Sequence, residues 1–301
     1  MILVAGSANL DFVVRASHIP APGETVLGRD FKTFPGGKGA NQAVACARAG
    51  GSSTAMLLAL GDDAFAVPLE ASLRASAVRL HVVRSPAQPT GTAFICVSDD
   101  AENAITVAPG ANLVLHASDL PPLQGCSHLL MQLEIPLDVV QSYAAMARAQ
   151  GVRVVLNAAP AQALAPELLA EIDVLVVNEG ELQALAGAAG SVAERLQRLA
   201  VPCVVVTLGS RGSCARWGKD FVIQAGFKVQ AVDTTAAGDT FCGALVAALA
   251  DGQEVGIALR QASAAAALAC TRLGAQSSIP TRSEVGLFMQ NQPEASAEQL
   301  D

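Results

Sequence analysis

Val174-Leu175-Val176-Val177 and Cys203-Val204-Val205-Val206-Thr207-Leu208 are apolar, largely β-branched runs without the polar/apolar alternation of a half-exposed strand. A strand with one face in water alternates, whereas a strand covered on both faces does not. Val152–Leu156 belongs to the same class, and Ile2–Ala5 and Ala55–Leu60 read as further strands. Between them lie segments of helix length. Ala40–Ala49 stops at Gly50-Gly51, residues 64–75 follow the acidic pair Asp62-Asp63, and Pro136 opens a helix that ends near Gly151. Gly238–Ala250 and Glu254–Thr271 are the last two long helices. Strands separated by helices imply βαβ units, so the expected fold is α/β, with a doubly covered, mostly parallel sheet.

Two stretches break this rhythm. Residues 11–35 and 78–108 show no helix but short strand-like pieces: Val13-Val14, Thr25–Leu27, Arg79–Arg84, Thr92–Val97 and Ala104–Val107. They are expected to meet as a small antiparallel β-sheet, a lid over one edge of the main domain. Residues 1–291 would then form a single domain, with 292–301 a flexible polar tail.

Composition narrows the function. Of the 301 residues 51% are hydrophobic, mostly Ala, Val and Leu, and only 4% are aromatic. Small side chains let helices lie close to a buried sheet. A net charge of −8 argues against nucleic acid, whose backbone needs a basic partner. No stretch is long enough to span a bilayer, and Met1–Gly6 carries no basic segment ahead of a long apolar run. The seven cysteines form no C-x-x-C pair and no zinc spacing, as expected of free thiols in a reducing compartment, so the protein is placed in the cytoplasm. The four histidines show no metal-binding spacing.

The strongest chemical signal is Asp233-Thr234-Thr235-Ala236-Ala237-Gly238-Asp239-Thr240-Phe241-Cys242-Gly243. Small residues leading into a helix leave backbone N–H groups bare, and such groups bind anions. Asp239 beside them is either a helix cap or a carboxylate poised to accept a proton. A second glycine-rich turn, Gly36-Gly37-Lys38-Gly39-Ala40-Asn41, runs straight into a helix but is not a Walker A loop.

These two motifs, in this order and roughly 200 residues apart, resemble the two signatures of the ribokinase-like (PfkB) carbohydrate kinases. Further matches run along nearly the whole chain, about residues 2 to 290. They are Asn9 and Asp11 after the first strand, Pro22–Val26, Met131–Glu134, Asn178-Glu179-Gly180-Glu181, Thr207–Gly212 and Arg272–Ser278. The resemblance implies ATP-dependent phosphorylation of a sugar, D-ribose first among the acceptors. It makes Asp239 the general base, with the Ala237 and Gly238 amides as an anion hole. Asn9, Asp11, Gly37, Lys38, Gly39, Ala40, Asn41 and Glu134 would bind the sugar. Asn178, Thr207, Leu208, Gly209, Ser210, Arg211, Gly212 and Ser263 would meet ATP together with Gly238 and Asp239. Glu181 would place Mg²⁺ through water. Asp233, Thr235, Ala269, Arg272, Gly274 and Ser278 would hold K⁺, an activating monovalent cation. Ribokinase-like enzymes pair their lids, so a homodimer through the lid is expected.

Two departures stand out. Ser263 lies where the family often carries His or Asn near the adenine, and the stretch Gln183–Pro202 is short. The rival readings are a kinase for 2-deoxyribose, a nucleoside or another small sugar, and a non-catalytic sugar sensor. Phe12, Phe31, Phe34 and Phe94 keep a nucleoside in play, whereas the intact Asp239 and glycine runs speak against a sensor.

Overall fold

The computed structural model describes residues 1–100 and 102–292. Of the tail expected over 292–301, all but residue 292 lies outside the described residues. In chain order the first half holds β1 (Ile2–Ala5), β2 (Asn9–Arg15), β3 (Arg29–Gly36), α1 (Lys38–Arg48), β4 (Thr54–Gly61), α2 (Ala66–Ala75), β5 (Arg79–Ser85), β6 (Gly91–Val97) and β7 (Asn103–Ala108). Then come β8 (His128–Met131), α3 (Leu137–Ala149), β9 (Arg153–Asn157), α4 (Pro166–Ala170), β10 (Val174–Asn178), α5 (Glu179–Ala186), α6 (Val192–Gln197), β11 (Cys203–Thr207), β12 (Gly212–Trp217) and β13 (Asp220–Ala225). Three helices finish the chain: α7 (Ala237–Ala250), α8 (Val255–Cys270) and α9 (Arg282–Gln290).

Nine strands form one sheet in the order β13-β12-β11-β10-β9-β8-β1-β4-β5. Every neighbouring pair is parallel except those made by β12, which runs against both β11 and β13. The uninterrupted apolar runs are explained by the two cores. Ile2, Val4, Val174 and Val176 pack under α1, α7 and α8, whereas Leu3, Ala5, Leu175 and Val177 pack under α3 and its neighbours. After β1 the chain builds β4 and β5 on one side, and after β7 it returns to build β8 onward on the other. The strand order therefore reverses at β1, and the crevice beyond the carboxyl ends of strands at such a point is where α/β sheets bind ligands.

The small sheet has four strands, β3-β2-β6-β7, with β2 and β6 parallel, so it is mixed and not wholly antiparallel as expected. Two further expectations for it are corrected. Thr25–Leu27 is loop, and the strand begins at Arg29. Residues 79–85 join the edge of the main sheet, parallel to β4, because Leu80 and Val82 pack on one core and Val83 on the other. The β12–β13 hairpin, turned at Gly218 (φ 59°), has no counterpart in the strand pattern read from sequence. Among the described residues no helix is long and apolar enough to cross a membrane.

The crossing of α1 and α7 depends on small residues. A Cβ on Gly243 would sit 2.4 Å from Ala45 Cβ and 2.6 Å from the Gln42 carbonyl oxygen. Gly243→Val is therefore expected to destabilise the fold by about 1–3 kcal/mol through overpacking, read in thermal unfolding. A melting temperature equal to the parent's would contradict the close helix contact.

Candidate active site

The strand ends supply the floor of the site. Ser7 follows β1, Gln132 and Glu134 follow β8, and Asn157, Asn178 and Thr207 are the last residues of β9, β10 and β11. Two helices point their N-termini at this floor, α1 and α7.

At α1 the chain turns through Gly37, whose φ of 88° favours glycine. A Cβ there would also lie 2.7 Å from the backbone nitrogen of Asn9. The first turn of α1 is bound to the strand-end loop: the Lys38 backbone amide donates to Glu134 Oε2 (3.1 Å), and Ser7 Oγ donates to the same oxygen (2.5 Å). Asn9 is fixed by a residue that sequence reasoning did not single out. Asn112 donates from Nδ2 to Asn9 Oδ1 (2.7 Å) and accepts the Ala8 amide (3.0 Å). It sits in a short 3₁₀ turn, Gly110–Val114, with no motif to mark it.

At α7, Ala236 holds a left-handed backbone (φ 58°, ψ 11°), an uncommon state for a residue with a Cβ. Ala237 and Gly238 open the helix, and Asp239 is buried in its first turn. Asn41 Nδ2 donates to Asp239 Oδ2 (2.9 Å), and Gln42 Nε2 donates to Asp239 Oδ1 (2.9 Å). The glycine-rich turn and the DTTAAGD run, 198 residues apart from Asn41 to Asp239, are thus joined by a direct hydrogen bond.

Three carboxylates act on one ammonium, and a fourth, Asp11, acts on two of them. The Lys38 side chain is held more basic than usual, chiefly by Asp239, with Glu134 and Glu181 adding to this against the cost of burial. Burial pushes the Asp11 carboxyl up to about 7, and the negative charges of Glu134 and Asp239 push in the same direction. Glu181 is also raised, mainly by burial and further by Asp239, while the Asn178 amide and Lys38 pull the other way. Asn178 and Glu181 cap α5 reciprocally: the Asn178 amide donates to Glu181 Oε2 (2.7 Å), and the Glu181 amide donates to Asn178 Oδ1 (2.8 Å). Among the described residues no cluster of three or more His, Cys, Asp and Glu is placed to cage a metal. Glu181 and Asn178 offer oxygen atoms of the kind that magnesium takes, and one carboxylate fits an ion that keeps most of its water.

On the far side of α7 lies a cavity of about 450 Å³ lined by Thr207, Gly209, Ser210, Gly212, Ala237, Gly238 and Ser263. Leu208 and Arg211 do not line it. The Leu208 side chain lies in the core, and Arg211 pairs with Glu179 at the surface. Walls absent from the sequence reading come from Phe227, Lys228, Val229 and Phe241. The first three lie in the connection from β13 to α7, ahead of the Asp233–Ala236 run and outside any motif. Ser263 shares a hydrogen bond with Ser213 (3.3 Å).

A second cleft of about 690 Å³ lies beneath the small sheet and is bordered by Asp11, Thr234, Thr235 and Gly274. Asp233 ties its edges together, accepting the Thr235 amide at Oδ1 (2.9 Å) and the Gly274 amide at Oδ2 (2.9 Å). Burial alone would raise the Asp233 carboxyl, but these hydrogen bonds outweigh it and hold it below the usual carboxylate range. Ala269 accepts the Arg272 amide, Arg272 pairs outward with Glu284, and buried Ser278 donates to the Ala275 carbonyl. A loop pair clipped by a permanent anion, with backbone carbonyls close by, suits a monovalent cation.

Comparison with known proteins places the whole chain. The family model for pfkB carbohydrate kinases matches residues 1–282. The chain is 40% identical to a ribokinase of Haemophilus influenzae, over 96% of this chain and 98% of that one, and 37% identical to a ribokinase of Bacillus subtilis, over 94% and 97%. A solved structure of Arabidopsis thaliana ribokinase complexed with ribose and ATP superposes with a TM-score of 0.89 at 33% identity, covering 97% of this chain and 99% of that one.

The raised Asp11 carboxyl sets a pH dependence. Its folded value, about 7, lies above the ordinary 3.8, so the folded state holds a proton there that the unfolded chain has released. The resulting penalty is absent below pH ~4, grows between pH ~4 and ~7 and is complete above. Asp11→Asn should therefore raise the melting temperature of the ligand-free protein most at pH 8, with the gain shrinking as the pH falls toward 4. A gain that is constant with pH would contradict the assignment.

Proposed function

The chain belongs to the pfkB family of carbohydrate kinases, and from that membership and the site geometry we propose the following reaction and roles. The protein transfers the γ-phosphoryl group of ATP to D-ribose, giving ADP and D-ribose 5-phosphate. One observation carries this reading: Asp239 stands at the helix end that separates the carboxylate-rich sugar side from the cavity lined by the Ala237 and Gly238 backbone.

The sugar is held by acceptors that suit its hydroxyl groups: Asn9, Asp11, Asn41 and Glu134, with Lys38 and the Gly37–Ala40 backbone around them. Asp239 accepts the proton of the 5-hydroxyl as that oxygen forms its bond to the γ-phosphorus. The bond from the γ-phosphorus to the bridging oxygen breaks, and ADP leaves. The amides at the start of α7 face the charge on the transferring group, with the Ala237 amide also donating to the Thr234 carbonyl (3.2 Å). ATP occupies the cavity between the Thr207–Gly212 loop and α7, where Ser263, short and hydroxylated, leaves the base among apolar walls. Magnesium, when bound, neutralises charge on the phosphates, and Glu181 and Asn178 are the residues nearest that task. Potassium would rest between the Asp233–Thr235 and Ala269–Ser278 segments. Its role is indirect, since Asp233 ties the loop before α7 to Gly274.

The small sheet leaves large apolar side chains exposed on both faces, Phe31 and Phe94 on one and Ile105 and Val107 on the other. An uncovered sheet of this kind favours pairing with a second copy, in support of a homodimer through the lid. All seven cysteines are free, in keeping with a reducing cytoplasm.

Coupled ADP release with Mg²⁺-ATP, measured across D-ribose, 2-deoxyribose, fructose and nucleosides, tests the acceptor. Turnover should be highest on ribose and should rise with K⁺. A higher rate on another acceptor would move the substrate and keep the mechanism. Asp239→Asn should lower kcat by ~10²–10⁴-fold with ribose binding largely retained. Near-normal turnover in that variant would remove Asp239 from the role of base.

A further inference from the structure

Asp239 is held by more than the residues that face the sugar. Gln42, the residue after Asn41 on α1, is fully buried (0% exposed). Its Nε2 donates to Asp239 Oδ1 (2.9 Å) and to Asn157 Oδ1 (3.0 Å), while its Oε1 accepts from Gln132 Nε2 (2.6 Å). Asn157 in turn donates from Nδ2 to the Val176 carbonyl (3.1 Å). Gln132, at the end of β8, is also 0% exposed. Side chains from α1, the loop after β8, the end of β9 and α7 are thus linked in one chain of hydrogen bonds, anchored at the strand ends of the main sheet.

The chemistry of the groups fixes the direction of that chain. An ionised carboxylate only accepts, so the amide of Gln42 must turn its NH₂ toward Asp239 and its oxygen toward Gln132. Gln132 must then offer its own NH₂ to Gln42. This leaves Gln132 Oε1 buried with no partner, beside the backbone of Gly6. An orphaned buried acceptor costs about 1–3 kcal/mol, which a network kept only for stability would avoid with apolar side chains. Neither glutamine can reach a sugar, because both are wholly covered.

We infer that Gln42 is a positioning residue for phosphoryl transfer: oriented by Gln132 and Asn157, its amide pins one oxygen of Asp239 while Asn41 pins the other. The carboxylate then has a single orientation in which to receive the hydroxyl proton. This inference rests on the reading of Asp239 as the base.

Steady-state kinetics with ribose and Mg²⁺-ATP test it, using the intact protein and the variants Gln42→Met, Gln132→Met, the double variant and Asp239→Asn. Gln42→Met should lower kcat by ~10–100-fold, the scale of a misplaced reacting group, with the ribose KM little changed. Gln132→Met should lower kcat less, and should add nothing in the Gln42→Met background, because it acts through Gln42. If Gln42→Met does not fold, Gln132→Met alone decides: a reduced kcat at parental KM supports the relay, and a parental kcat overturns it. Parental turnover by Gln42→Met with an inactive Asp239→Asn, or additive losses in the double variant, would overturn the inference and leave Asp239 as base. Near-parental turnover by Asp239→Asn would instead overturn the reading beneath it.

Discussion

A carboxylate out of water must be surrounded by donors, and Asp239 meets that demand by drawing α1 against α7. Its two oxygens accept from successive side chains of α1, Asn41 and Gln42. The two helix backbones must therefore lie within touching distance, which only small residues allow. Gly243 faces Ala45 and the Gln42 carbonyl at separations that leave no room for a Cβ. The Ala-rich composition is thus a requirement of the site as much as of the core. The same helix α1 reaches Glu134 through the Lys38 amide, so one element touches both Asp239 and the carboxylate proposed to hold the sugar.

The division of charge across α7 explains how one crevice can take two unlike substrates. On one side Glu134, Glu181 and Asp239 act on Lys38, and burial, with the charges of Glu134 and Asp239 adding to it, drives Asp11 up to about 7. Hydroxyl groups, which donate, are suited to that side. On the other side the cavity is walled by glycine backbone, apolar side chains and hydroxyl groups, with Lys228 the only cation among the residues lining it. Polyphosphate anions are suited to a helix N-terminus and not to a bed of carboxylates. The strand order, which reverses at β1, places both sides at the same carboxyl-end crevice.

Much of this was legible in the residues. Uninterrupted runs such as Cys203–Leu208 announced a sheet covered on both faces, and Gly36–Asn41 and Asp233–Asp239 marked the two helix ends. What escaped were features that depend on partners. Residues 79–85 have the β character of the small sheet but two apolar faces, and only packing decides that they close the main sheet. Thr25–Leu27 is β-prone and yet has no neighbour to pair with. Asn112, Gln42, Gln132 and Asn157 are single amides without a motif, and their importance lies in which atoms they meet across the fold. The Phe227–Val229 wall lies just ahead of the Asp233–Asp239 run, in residues that carry no signal of their own.

A crystal structure of the protein with ribose and a non-hydrolysable ATP analogue tests the central claim most directly. The account predicts the primary hydroxyl of ribose within hydrogen-bond reach of Asp239, about 2.6–3.2 Å, with the γ-phosphate facing the Ala237 and Gly238 amides. A sugar bound with that hydroxyl away from Asp239, or a nucleotide outside the cavity between Thr207–Gly212 and α7, would contradict it.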